Sequence, residues 1–189
     1  MLYVGVGTGI GGGLVLGGRV QRGAHGFAGE IGHITIQSDG ELCGCGNRGC
    51  WETVASGSAI TREGRLALER HPDSLIRELA GGDTGAVSGA LVTQAAFAGD
   101  PTAVGILADV GTRLGVGIAG LVNVLDPAVV VVGGGAARAG HLLLDPARIA
   151  YARSVERAGA RPDVRITGAE LGEDGAAIGA AILALDSMS

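Results

Sequence analysis

The chain has 189 residues, a formal net charge of −5 and a composition that is 47% apolar and 17% charged. That length suits one domain with a real core, or one large lobe of a bigger protein. The acidic balance and the lack of any basic cluster argue against a direct nucleic-acid surface. Glycine is the outlier, with 37 residues against a usual share of about 7%. No G-X-Y period accompanies it and the apolar fraction is high, so neither collagen nor a disordered chain is expected.

In chain order, LYVGV at 2–6 reads as a buried strand. GTGIGGG follows over 7–13, and GLVLGGRV is strand-like again, with a turn at Gly17-Gly18. Gly7, Gly9 and Gly12 match G-x-G-x-x-G formally, but a dinucleotide fingerprint must open a helix after its strand. A second strand follows here, so that reading is rejected. A glycine-rich hairpin can still hold phosphate through an anion nest of backbone N–H groups, with the Thr8 hydroxyl as a further donor. Taken alone, the same residues are better explained as a tight hairpin without a ligand.

Residues 19–30 read as a loop, and IGHITI at 31–36 alternates as a strand. The next stretch holds all three cysteines, Cys43, Cys45 and Cys50, in the order H-x9-C-x-C-x4-C with His33. Three thiolates and an imidazole are the ligand set of a closed tetrahedral zinc site. Gly44, Gly46 and Gly49 let the backbone turn tightly between them. An odd cysteine count and no recognisable signal peptide argue against a disulfide framework and point to a reducing, cytoplasmic setting. His33 is preferred as fourth ligand because it ends a strand-like approach; His25, Asp39 and Glu41 are its rivals. Glu30 and Glu52 flank the ligands, as suits a zinc that fixes a polar pocket.

Helices are expected at 59–70 with Ser58 as N-cap and Pro72 as stop, at 73–79, at 88–98, and from the Asp100-Pro101 cap to about Leu125. The last of these carries Gly111, Gly115, Gly117 and Gly120, each costing about 1 kcal/mol in a helix interior. Close packing of another backbone, within the subunit or across a subunit interface, would offset that cost. AVVVV at 128–132 reads as a strand covered on both faces, with Gly133, Gly134 and Gly135 at its C-terminal end, where ligands of α/β sheets gather. A helix from about 139 to 157 broken at Pro146, a strand at 163–169 and a small, apolar helix from about 174 to 185 complete the pattern. No apolar run is long enough for a transmembrane helix, and no linker divides the chain, so one domain over 1–189 with a knuckle at 33–50 is expected.

Taken together, GAHGFAGEIGH followed by CGCGNRGCWE, with GTGIGGG, VVVVGGG and LGEDGAAIGAAILAL, resembles the ROK family (repressor, open reading frame, kinase). The resemblance implies an α/β fold of the actin-like, hexokinase-type ATPase (ribonuclease H-like) class, with only the C-terminal lobe present. It implies zinc on His33, Cys43, Cys45 and Cys50, and a hexose such as glucose held by Glu30, His33 and Glu52. It places ATP phosphates at Gly7, Thr8 and Gly9 and the adenosine at Gly133, Gly134 and Gly135, with Mg²⁺ accompanying the nucleotide. It further implies a homodimer or homotetramer and no membrane. The family's D-x-G-G-T loop and its N-D motif, whose aspartate is the general base, have no counterpart in this sequence, so no catalytic residue is assigned and the chain alone is expected not to phosphorylate sugar. Two functions fit: the sugar- and nucleotide-binding lobe of a glucokinase-like enzyme, or the sugar-sensing domain of a xylose-repressor-like regulator. A missing partner lobe would leave an apolar surface exposed.

Overall fold

The computed structural model describes residues 1–186; the last three residues of the unit expected over 1–189 lie outside the described ones. One five-stranded sheet organises it, built from β1 (Leu2–Val6), β2 (Ile10–Leu16), β3 (Arg19–Val20), β4 (Val129–Gly133) and β5 (Arg165–Gly168) in the order β3-β2-β1-β4-β5. β1, β2 and β3 form an antiparallel meander, and β4 and β5 add in parallel to β1. The register sets Gly5 beside Gly133, so the C-terminal ends of β1 and β4 leave the sheet at the same edge.

Period-two alternation decides the faces of the sheet. Leu2, Val4, Val6, Val130, Val132 and Ile166 all point into one buried core. The opposite face carries Tyr3, 36% exposed, and the half-buried Val131. β4 is therefore covered fully on one face only, contrary to the expectation from its run of valines: β-branched residues suit either kind of strand, and continuity of apolar residues does not reveal how many layers cover it.

The helices are α1 (Glu52–Ala55), α2 (Gly57–Arg70), α3 (Leu75–Leu79), α4 (Gly89–Phe97), α5 (Pro101–Leu125), α6 (His141–Ser154) and α7 (Gly175–Asp186). α2 starts two residues earlier than expected, because Ser56, not Ser58, is the N-cap and accepts from the Ala59 N–H at 3.2 Å. α6 runs through Pro146 without a break. IGHITI is not a strand: Ile31–His33 form a single 3-10 turn, and Thr35 makes only an isolated bridge to Cys50.

α5 is the central helix, with Leu107, Val110, Leu114, Ile118 and Val122 all buried. Its glycines answer the packing question for this chain. A Cβ at Gly111 or Gly115 would overlap the backbone carbonyls of Leu143 and Ala147 in α6, and one at Gly117 would overlap the Trp51 ring, so three of the four are notches within the subunit. Gly120 faces open space. Contrary to the expectation from its apolar runs, α5 is by length and composition long and apolar enough to cross a membrane. Half of its apolar window is buried within the fold, as in a core helix.

Candidate functional site

The cysteine knuckle is shaped by two positions where only glycine fits. Gly49 has φ of +70°, and a Cβ there would run into the Gln37 carbonyl; Gly46 has φ of +92°. The Cys43 N–H donates to the Asn47 carbonyl at 2.7 Å and the Gly46 N–H to the Cys43 carbonyl at 2.9 Å, closing the turn. The result gathers one ligand atom each from His33, Cys43, Cys45 and Cys50 within 4.8 Å of one another. His33 Nδ1 is 3.6 Å from Cys43 Sγ, and Cys45 Sγ is 3.6 Å from Cys50 Sγ. A tetrahedron with Zn–S of about 2.3 Å and Zn–N of about 2.0–2.1 Å has edges of roughly 3.5–3.8 Å, so the donor set fits zinc in chemistry and these two edges have its spacing. Glu41 is engaged elsewhere, by Arg62 at 2.7 Å.

The thiols are electrostatically unequal. The Cys45 backbone N–H lowers the Cys43 thiol, but the Glu52 carboxylate beside it and burial outweigh this and push it up to about 12. The exposed Cys45 is lowered, chiefly by the Asn47 backbone N–H. Burial raises the Cys50 thiol. A bound cation at this position reverses the cost, because a coordinating thiol is deprotonated outright.

Glu52, the first residue of α1, joins the knuckle to the glycine hairpin. Its Oε1 accepts from Cys43 Sγ at 3.0 Å and lies 3.6 Å from His33 Nδ1. Its Oε2 accepts from the Ile10 N–H at 3.2 Å. A Cβ on Gly32 would overlap the Ile10 carbonyl, so the hairpin can lie against the 31–33 turn only with glycine there, while one on Gly9 would displace that same Oε2. On the other side of the imidazole, His33 Nε2 is 3.7 Å from Glu30 Oε2. Glu30, His33 and Glu52, separated by up to 22 positions in the chain, thus form one acidic cluster around a histidine.

A cavity of about 970 Å³ opens where β1 and β4 end. Gly7 and Thr8 line it from one strand, Gly135 and Ala136 from the other. Gly9, Gly133 and Gly134 do not line it: Gly9 backs onto Glu52, Gly133 makes room for the Tyr3 ring, and Gly134, with φ of +85°, would meet the Val6 backbone. The N-termini of α2 and α4 complete the walls through Gly57, Ser58, Gly89 and Ala90. Gly57 N–H donates to the Gly7 carbonyl at 2.7 Å and Ser58 N–H to the Thr8 carbonyl at 3.3 Å. Because each peptide is planar and trans, the following N–H groups, those of Thr8 and Gly9, are turned away from α2.

Several lining residues escaped the sequence reading. Gly57 and Gly89 follow the capping residues Ser56 and Ser88, so the helix-start signal could have flagged both. Gln94, Phe97 and Arg138 also line the cavity and carry no local signature.

The ROK family model matches residues 1–187. Glucokinase of Streptomyces coelicolor is 37% identical over 186 residues, which is 97% of this chain and 59% of that protein. A ROK family glucokinase from Streptomyces griseus, solved in complex with glucose and AMPPNP, superposes with a TM-score of 0.92 at 37% identity, over 96% of this chain and 59% of that one. The xylose repressor of Caldicellulosiruptor bescii is 32% identical over 148 residues, 78% of this chain and 37% of the repressor. The chain thus spans 59% of the length of the two glucokinases and less of the repressor. Its sheet order, its matched residues and these relatives agree: the chain belongs to the ROK family and has the fold of one lobe of the actin-like, hexokinase-type ATPases.

Proposed function

We propose that this chain is the zinc-containing, hexose- and ATP-binding lobe of a glucokinase-type ROK kinase. The observation that carries the reading is the double contact of residues 7–10: Gly7 and Thr8 line the large cavity, while Gly9 and Ile10 rest on Glu52. A phosphate loop whose far end touches the sugar carboxylates is the arrangement that phosphoryl transfer from nucleotide to sugar requires, since that reaction is mainly a matter of positioning. In this reading the backbone at Gly7 and Thr8 binds phosphate, and Gly135 lets the adenosine approach closely. Glu30 and Glu52 accept hydrogen bonds from hexose hydroxyls, which rejects sugars lacking them. His33 and the three thiolates hold zinc, which would fix the imidazole in one tautomer and ring plane. His33 Nε2 is then free of the metal and faces the sugar beside Glu30. Mg²⁺ would accompany the nucleotide.

The second reading, a sugar-sensing regulator domain, is favoured by the xylose repressor's similarity. A sensor needs the acidic cluster but has no use for the cavity between the two glycine loops. Calorimetry with glucose and a non-hydrolysable ATP analogue separates the two. Binding of both supports the kinase lobe; binding of sugar alone supports the sensor. The chain by itself is expected to show no hexose-dependent ATP consumption, and robust turnover would mean that one of its own residues serves as general base.

A further inference from the structure

A second cavity, of about 460 Å³, lies between α2 and the first half of α5 and shares no residue with the one at the strand ends. Its volume is within the roughly 300–1,000 Å³ of small-molecule sites. The two helices run antiparallel along it. At one end Asp100, which starts α5, accepts from the Ser74 hydroxyl and the Leu75 N–H just beyond α2. Further along, Glu63 of α2 lies 3.8 Å from Arg113 of α5.

Charge is sorted along this groove. Arg70 and His71 line the first end with Pro101 and Thr102, and Glu63 and Asp109 line the other. Glu63 and Arg70 are seven residues apart in α2, about 10 Å of helix, so the two ends do not neutralise each other. Among the described residues, the Arg70 guanidinium, the His71 ring and the Asp109 carboxylate make no hydrogen bond or ion pair within the chain. The start of α5 adds no donor, because Pro101 has no N–H and Asp100 already takes the Ala103 N–H at 2.7 Å. Gly105 stands midway, exposed, and a Cβ on it would meet nothing within 4 Å. A glycine inside a helix costs about 1 kcal/mol, and no packing within the chain offsets it here, unlike at Gly111, Gly115 and Gly117. It leaves the middle of the groove open beside the apolar Leu66, Ala67 and Ile106.

We propose that this groove is a binding site for a sugar monophosphate. Arg70 and His71 hold the phosphate, and Asp109 and Glu63 accept hydrogen bonds from the sugar hydroxyls. A phosphate group presents three strong acceptor oxygens, enough for the guanidinium fork and an imidazole N–H at once. At the acidic end the ligand is a neutral donor rather than a cation. Arg62 Nη2 donates to Glu63 Oε1 at 2.9 Å and Arg113 stands beside the same oxygen, so a ligand cation would meet two guanidinium groups already in place. The unpartnered Asp109 and the second oxygen of Glu63 remain as acceptors for hydroxyls. The apolar side chains between the two ends take the C–H face of the sugar ring.

The test is calorimetric titration of the full chain with glucose 6-phosphate, in excess glucose so that the acidic cluster around His33 is not what is read. Saturable binding at one site per chain is expected. Arg70→Ala should weaken it by about tenfold or more, the effect of losing a hydrogen-bonded charge. Asp109→Asn should weaken the sugar phosphate but not inorganic phosphate. Gly105→Leu fills the groove and should abolish binding, while its stability in urea stays at or above the parent's, because leucine is the better helix former and nothing stands in its way. No saturable binding, or binding indifferent to both Arg70→Ala and Gly105→Leu, would overturn the proposal. So would inorganic phosphate binding as tightly as the sugar phosphate, or lysine, with its ammonium group, binding in its place. The readout is binding in this groove alone, so failure of the kinase reading would leave it unaffected.

Discussion

The indole of Trp51 fills the notch left by Gly117: a Cβ on that glycine would overlap the Trp51 ring, and Trp51 Nε1 donates to the Arg113 carbonyl one helical turn earlier at 3.0 Å. Trp51 stands between Cys50 and Glu52 and is fully buried. One side chain therefore pins the knuckle and the first turn of α1 to the middle of α5.

Gly117→Ala should destabilise the chain by about 1–3 kcal/mol, as overpacking of a filled core does. In a Trp51→Phe background, where the indole edge is gone, the same change should cost less. Urea denaturation of the four proteins of this double-mutant cycle gives the coupling directly. Equal costs in both backgrounds would mean that the notch is not what fixes Gly117.

Purified protein should carry about one zinc per chain, the stoichiometry of a four-ligand site. Cys45→Ala should lose it and loosen the knuckle, because the folding of such sites is coupled to the metal. Binding should also release protons, since a Cys43 thiol held at about 12 is protonated at neutral pH before the metal arrives. Affinity in chelator competition should therefore fall from pH 8 to pH 6. Metal analysis showing no zinc, with Cys45→Ala as stable as the parent, would remove the site.

Glu52→Gln should weaken glucose binding while zinc is retained. The amide oxygen can still accept from the Ile10 N–H, so the hairpin keeps its support, but the negative charge beside His33 is gone. Calorimetry paired with metal analysis reads both quantities. Parallel loss of sugar and zinc would show the residue to be structural.

Asp100 is the buried junction of two helices. It accepts from the Ala103 N–H at 2.7 Å as N-cap of α5, from the Leu75 N–H at 2.8 Å at the start of α3, and from the Ser74 hydroxyl at 3.1 Å. Burial alone would raise its pKa, but these bonds to the charged form together lower it. A lowered folded-state value means that the stabilisation is complete above the ordinary carboxylate range, near pH 4, and is lost as pH falls through the folded value. Asp100→Ala should cost about 1–3 kcal/mol at pH 7, and the difference between variant and parent should shrink under acid. A difference constant from pH 7 to pH 3 would contradict the assignment.

Much of this was legible in the residues. The hairpin, the Asp100-Pro101 start of α5 and the cysteine spacing each carry a local physical signature, and each stands where that signature indicated. The failures share a cause. IGHITI alternates like a strand, but Gly32 lies against the Ile10 carbonyl and the segment curls into a turn to reach the hairpin; a tertiary contact overrode the local pattern. The cavity wall at Gln94, Phe97 and Arg138 joins elements far apart in the chain, and nothing local marks such an encounter. Pro146 breaks nothing because α6 is held along its length against the glycine notches of α5.

Glu52 has one oxygen on Ile10 and the other on Cys43. Two segments that share a single carboxylate cannot shift separately. Any coupling between binding at the knuckle and binding at the hairpin that runs through this carboxylate is reciprocal in free energy. The cysteine–histidine cluster and the glycine hairpin are thereby joined through one side chain.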